Sequence, residues 1–183
     1  GSARGFEWKR WPLEYWVELA KTLISQHNTF ILIFGGPDEQ EIVHQLETQL
    51  NIAAAGGATG VPRRAPAAEG ESRRAGMQSQ PALPPHLLET AALMQHCKLF
   101  ISNDSGLMHL AAASGVTTLG LFGPTNEAHT GPRGPKSHTL RAPNTQPVYN
   151  TEKTPFLGSS PDASLIAIKP EQVLDKIFRI VRQ

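Results

Sequence analysis

One stretch of the chain, residues 98–122, constrains the fold more than any other. Two apolar runs of strand length, residues 98–102 and 117–122, flank a short apolar segment that predicts a helix ending at Gly115. Strands that run in the same direction need a crossover connection, which is usually a helix. The stretch therefore predicts a parallel β-α-β unit.

The rest of the chain continues this alternation. Apolar residues at helical spacing predict helices that begin near residues 12, 38 and 85, and a last helix over 170–183. Pro12 suits the first helical position. Strand patterns occur at residues 29–34 and, more weakly, 52–55, whereas 133–167 predict mostly loop. Such units form an open parallel sheet with helices on both faces, and residues 1–183 suit a single domain.

Parallel α/β sheets bind ligands beyond the carboxyl ends of their strands. Three polar or glycine-rich turns follow predicted strands here: Gly35-Gly36, residues 103–106 and residues 123–125. These turns are the candidate site.

Composition excludes several classes of function. Lysine and arginine (17) nearly balance aspartate and glutamate (16), so the net charge of +1 gives no pull toward nucleic acid. Cys97 is the one cysteine, which rules out a disulfide framework. The histidines show no metal-ligand spacing, so no metal is expected.

Residues 56–82 interrupt the alternation. They are rich in Gly, Ala, Pro, Ser and Arg and lack aromatic residues, which predicts a mobile insertion. Its arginines either contact an anionic membrane or a partner, or are simply solvated. The opening Gly1-Ser2 does not look native, so we expect a segment of a longer protein.

The turn Asn103-Asp104-Ser105-Gly106 carries the main chemical signal. Asn, Asp and Ser commonly cap helices, so a capped turn without a ligand explains part of it. Gly106 costs roughly 0.5–1 kcal/mol relative to alanine in a helix, a cost that is justified where a group approaches the backbone. Helix N-termini bind anions, and His109 adds a donor one turn later.

Two further interpretations stay open for this turn. Asp104 either caps the helix or accepts a hydrogen bond from a sugar or ribose hydroxyl. Ser105 and His109 could serve as nucleophile and base of a hydrolase, although the G-x-S-x-G elbow is absent. Neither the G-x-G-x-x-G fingerprint nor a P-loop occurs.

Four blocks of sequence together resemble a known family. "KRWP", "FGGPDEQE", "LFISNDSGLMHLAAASGV" and "LGLFGPTNEAHTGPRG" are similar, in order and spacing, to the donor-binding half of glycosyltransferase family 9, the ADP-heptose:lipopolysaccharide heptosyltransferases. The resemblance implies the Rossmann-like C-terminal half of a GT-B glycosyltransferase. It also implies that an N-terminal acceptor domain is absent from this chain.

The resemblance assigns roles to individual residues. It places Lys9 beside the donor diphosphate as a charge stabiliser, and Glu39 on the ribose hydroxyls. It places five residues around phosphate and sugar: Asp104, Ser105, Gly106, Leu107 and His109. Asn103, Thr125 and Thr130 are weaker candidates from the neighbouring turns.

Each of these roles has a structural alternative. Lys9 could be a solvated charge before a helix, and Glu39 could favour a helix dipole, with Glu41 as its substitute if the register shifts. Trp11 and Trp16 fit core packing better than sugar stacking.

The implied reaction is transfer of a sugar, heptose in the family, from a nucleotide-diphosphate donor such as ADP-heptose to a lipopolysaccharide-core glycolipid. The general base is expected on the missing domain, so this chain alone should be inactive. No cofactor or metal is expected. The implied location is the cytoplasm, with peripheral contact at the inner membrane. The alternative is a non-catalytic nucleotide-binding module of the same fold.

Overall fold

The computed structural model describes residues 6–36, 39–55, 87–148 and 159–182. The predicted insertion at 56–82 lies outside these residues. No helix in the described ranges is long and apolar enough to cross a membrane.

Helices and strands alternate along the described chain, after a short 3-10 turn at Glu7–Lys9. The helices are α1 Leu13–His27, α2 Gln40–Ala55, α3 Leu87–Met94, α4 Gly106–Ala113, α5 Glu127–Thr130, α6 Ala163–Ile166 and α7 Pro170–Val181. The strands are β1 Phe100–Asn103, β2 Thr118–Phe122 and β3 Ser137–Arg141. Gly115, with φ +79°, follows α4 as its predicted stop.

The three described strands form one parallel sheet in the order β1-β2-β3. Phe100 pairs with Thr118, and Thr118 pairs in turn with Ser137. The central strand β2 is buried along its whole length, as a strand covered on both faces should be. The predicted parallel α/β sheet is therefore confirmed.

The two faces of β2 pack against different helices, because successive side chains point to opposite sides of a sheet. Leu119 and Leu121 enter a core cluster built largely from the helices near the chain ends, which includes Leu19, Leu165, Val173, Ile177 and Ile180. Gly120 faces α4 instead: a Cβ built there would lie 2.7 Å from the Met108 Sδ. Helices thus cover both faces, as predicted.

Trp11 lies in the core rather than on an open surface. It is 2% exposed, and its indole Nε1–H donates to the Ile168 carbonyl at 2.8 Å. Its ring meets Trp16 edge-on, with 4.9 Å between centroids. The core assignment of both tryptophans is confirmed, and Trp11 fastens the segment just before α1 to the entrance of α7.

The sequence pattern gave three wrong local predictions. Residues 29–34 form no strand in the described chain, and Phe30 is 58% exposed. An apolar run indicates burial but does not supply a neighbour for its backbone hydrogen bonds. Residues 52–55 belong to α2, and Pro12 caps α1 from outside the helix.

Residues 133–167 were predicted as mostly loop, and most of their described residues do lie outside helices and strands. The exceptions are β3 and α6. The strand's sequence, "SHTLR", has low hydrophobicity because its residues are only half-buried at the edge of the described sheet.

We expect Gly120→Ala to lower the free energy of unfolding by about 1–3 kcal/mol, because the new methyl would overpack the contact between β2 and α4. Gly106→Ala is the matched control, since a Cβ there meets nothing within 4 Å. The control should leave stability unchanged or raise it by roughly 0.5–1 kcal/mol. Urea unfolding of both variants measures this, and equal stability of Gly120→Ala and wild type would contradict the packing.

Candidate functional site

The polar turns after β1 and β2 lie side by side. Asn103, the last residue of β1, pairs with Leu121 near the end of β2, so the segments that follow them leave the same edge of the sheet. Asp104 comes directly after β1, and Thr130 lies in α5 after β2. The Thr130 hydroxyl donates to Asp104 Oδ2 at 3.2 Å, which joins the two turns.

Lys9 completes a cluster with these two residues. Its Nζ lies 3.1 Å from Asp104 Oδ2, and the two side chains are 18% and 7% exposed. The ammonium also lies 5.4 Å and 5.5 Å from the ring centroids of Phe6 and Trp8. Lys9 is therefore not a solvated charge: aromatic rings and a buried carboxylate fix its position.

Asn103 holds the segment that carries Lys9. Its side-chain amide oxygen accepts from the buried backbone N–H of Trp11 at 3.0 Å. Asp162 adds a second anchor, because its N–H donates to the Trp8 carbonyl at 3.1 Å. The Asn103 side chain thus helps to fix the position of the segment that carries Lys9.

Ser105 is the N-cap of α4. Its backbone is extended, and its hydroxyl accepts from the Met108 N–H at 3.4 Å and lies 3.0 Å from the Ser102 hydroxyl. The capping interpretation of the sequence is confirmed for Ser105. These contacts do not favour a nucleophile activated by His109.

Gly106 and His109 lie on one open face of α4. Residues three apart share a helix face, and helical side chains lean toward the N-terminus. His109 is exposed, and a Cβ added at Gly106 would have no atom from elsewhere in the described chain within 4 Å. An anion could therefore reach the first turn of α4 beside the His109 side chain.

Leu107, Glu39 and Thr125 serve the framework in the described chain. Leu107 packs against the apolar cluster around Phe100. Glu39 Oε2 accepts from the Gly36 N–H at 2.9 Å, which closes the glycine turn before α2. Thr125 is 3% exposed, and its carbonyl accepts from Arg141.

Sequence patterns missed one prominent pair, Arg141 and Glu127. The guanidinium Nε donates to both Glu127 carboxylate oxygens, at 3.1 and 3.0 Å, and Nη2 lies 2.5 Å from Oε2. It also donates to the carbonyls of Gly123 and Thr125. Arg141 ends β3, a strand that the sequence pattern did not predict, so no local signal pointed to it.

The Arg141 guanidinium holds the pKa of Glu127 below its usual range, mainly through the hydrogen bonds to the carboxylate, although partial burial acts in the opposite direction. Among the described residues no group of three or more His, Cys, Asp or Glu side chains could hold a metal ion.

These observations define a Rossmann-like α/β domain with a charged cluster beyond the carboxyl ends of its strands. Residues 68–158 match the family model of glycosyltransferase family 9 (heptosyltransferase). With the relatives described next, this match establishes that the chain belongs to glycosyltransferase family 9.

Lipopolysaccharide heptosyltransferase 2 of Salmonella typhimurium is 27% identical over 175 residues, which are 96% of this chain and 43% of that protein. Lipopolysaccharide heptosyltransferase 1 of Pseudomonas aeruginosa is 33% identical over 126 residues, 69% of this chain and 28% of that protein. The solved structure of E. coli ADP-heptose lipopolysaccharide heptosyltransferase II matches with a TM-score of 0.68 and 26% identity, over 100% of this chain and 45% of that one. The chain spans less than half the length of these relatives.

We expect Glu127→Gln to remove a pH-dependent part of the stability. A carboxylate whose pKa is lowered by folding stabilises the fold above its unfolded pKa of about 4.3, and this stabilisation is lost as the pH falls through the folded value. The variant should therefore be less stable than wild type at pH 7. This difference in the free energy of unfolding should become smaller below about pH 5.

Urea unfolding at several pH values between 3 and 7 measures that gap. Glu18→Gln, on an exposed part of α1, is the control and should follow wild type throughout. A gap for Glu127→Gln that stays constant with pH would contradict the role of the ion pair.

Proposed function

We propose that this chain is the donor-binding, C-terminal half of a glycosyltransferase. In the proposed reaction, heptose moves from a nucleotide-diphosphate donor such as ADP-heptose to a lipopolysaccharide-core glycolipid. The family match and the names of the relatives support the class of reaction. The observation that carries the donor-binding role is the fixed Lys9–Asp104–Thr130 cluster beside the open N-terminal turn of α4.

A diphosphate would meet complementary charge at this place. The first N–H groups of a helix have no intrahelical acceptor and carry the positive end of its dipole. The Lys9 ammonium adds positive charge, which Asp104 neutralises in part, and His109 offers a further donor on the same side as Gly106. Binding is proposed at the backbone of Ser105, Gly106 and Leu107, because Gly106 leaves this backbone uncovered.

Asp104 and Lys9 have complementary roles in this proposal. Asp104 orients the ammonium and accepts from a sugar hydroxyl, since a carboxylate can accept several hydrogen bonds at once. Lys9 stabilises the charge that develops on the departing nucleotide diphosphate. Glu39 is proposed to accept from the ribose hydroxyls, with Thr125 and Thr130 lining the neighbouring turn. The charge compensation comes from protein groups, so we propose transfer without a metal or cofactor.

The complete enzyme is proposed to need a preceding acceptor domain. That domain would supply the general base, which must reach the acceptor hydroxyl within hydrogen-bond distance. The expected location of the complete enzyme is the cytoplasmic face of the inner membrane, where the glycolipid acceptor would be within reach.

We expect the purified chain to bind ADP in isothermal titration in preference to UDP and GDP. Lys9→Ala should weaken the binding roughly 10- to 100-fold, because a hydrogen bond to a charged group contributes about 1.5–3 kcal/mol. His109→Ala should weaken it less, since the imidazole is exposed. Gly106→Ala should also weaken it, although the methyl fits the fold.

Lys21→Ala and His96→Ala, both at exposed positions away from the cluster, are the matched controls and should bind like wild type. Selective binding of UDP or GDP would keep a nucleotide donor but change its base. Equal affinity of the Lys9→Ala and Lys21→Ala variants for ADP would contradict the proposed site.

We expect the chain alone to transfer no sugar from ADP-heptose to a core-glycolipid acceptor. Transfer should appear when the chain is joined to its own N-terminal half, as measured by the mass of the extended acceptor. Turnover by the chain alone would contradict the placement of the base. Donor binding by the joined protein without any transfer would favour a non-catalytic nucleotide-binding module.

A further inference from the structure

Arg141 contacts three points on the turn that follows β2. It binds the Glu127 carboxylate through two of its nitrogens and donates to the carbonyls of Gly123 and Thr125. Its side chain is 13% exposed, and β3 carries it alongside Phe122, its partner in the sheet register. One side chain therefore fixes both the start of the turn and the first residue of α5.

Only a guanidinium can make this set of contacts. Arginine presents five N–H donors in a rigid plane, which allows it to grip a carboxylate and two carbonyls together. A lysine ammonium would keep the charge but has three donors around one nitrogen. The geometry at this position therefore depends on the shape of the side chain as well as its charge.

The contact of Arg141 with α5 is connected to the cluster of Lys9, Asp104 and Thr130. The helix has a single turn, with Glu127 at its first position and Thr130 at its last. Thr130 donates to Asp104 Oδ2, the same oxygen that lies 3.1 Å from Lys9 Nζ. A shift of Glu127 would thus move Thr130 and loosen the environment of Asp104 and Lys9.

We infer that Arg141 is a positioning residue for the diphosphate site, and that it acts through Glu127 and Thr130. This inference rests on the proposed function, because it concerns the same site. A merely structural Arg141 would stabilise the turn without any effect on ligand affinity beyond a general loss of stability.

ADP titration and hydrogen exchange on the same variants separate these roles. Arg141→Met and Arg141→Lys should both weaken ADP binding about tenfold, and both should speed amide exchange in residues 123–130. Glu127→Gln is a milder variant of the same contact and should act in the same direction. Val173→Ala removes a buried side chain of α7 and leaves a cavity in the core. It is the control for lost stability and should keep wild-type affinity for ADP.

A double-mutant cycle tests the route through Thr130. If Arg141 acts through this residue, Arg141→Met combined with Thr130→Val should weaken ADP binding no more than the stronger single variant. Additive losses would overturn the route.

The outcomes are distinguishable. Wild-type affinity in Arg141→Met, or in Arg141→Lys, would overturn the positioning role of Arg141 but would leave the proposed function intact. Equal losses for Arg141→Met and Val173→Ala would also overturn it, because general destabilisation would then explain the effect. A wild-type chain without affinity for ADP would overturn the proposed function and this role together.

Discussion

The Asp104 carboxylate is the group on which the arrangement of the candidate site depends. It is 7% exposed, and a carboxylate removed from water is costly unless charge and hydrogen bonds compensate it. Lys9 supplies the charge from 95 residues away, and Thr130 supplies a hydroxyl from 26 residues away. Satisfying one buried anion thereby brings three distant segments together at the carboxyl ends of β1 and β2.

This arrangement gives the site a defined electrostatic character. Asp104 neutralises Lys9 in part, so a diphosphate would have to compete for the ammonium or share it with the carboxylate. In return, the ammonium is already oriented by Asp104 and by the rings of Phe6 and Trp8, so little side-chain entropy remains to be lost on binding. The framework behind Lys9, through Asn103 and Trp11, serves the same preorganisation.

Local signals were readable in the sequence, and long-range partners were not. The turn between β1 and α4 was predictable because strand pattern, cap residue and helix stop fall within about one helix length of each other. The pairing of Lys9 with Asp104 has no such local signal, and the family resemblance indicated only that both lie near the donor. Arg141 was missed because β3 is half-buried, and the strand expected at 29–34 failed because hydrophobicity alone does not create a pairing edge.

Gly106 is the residue of this turn that helix capping does not explain. Capping accounts for Ser105, whose hydroxyl accepts from the first turn of α4, but it gives no reason for a glycine at the next position. Gly120 and Gly131 are required by the fold, since a Cβ would come within 2.6 Å of Phe122 and 2.3 Å of the Glu127 carbonyl, respectively. At Gly106 an alanine would fit and would favour the helix by roughly 0.5–1 kcal/mol. The packing of the fold thus leaves this glycine unexplained, and the proposed approach of a ligand to the helix from outside would account for it.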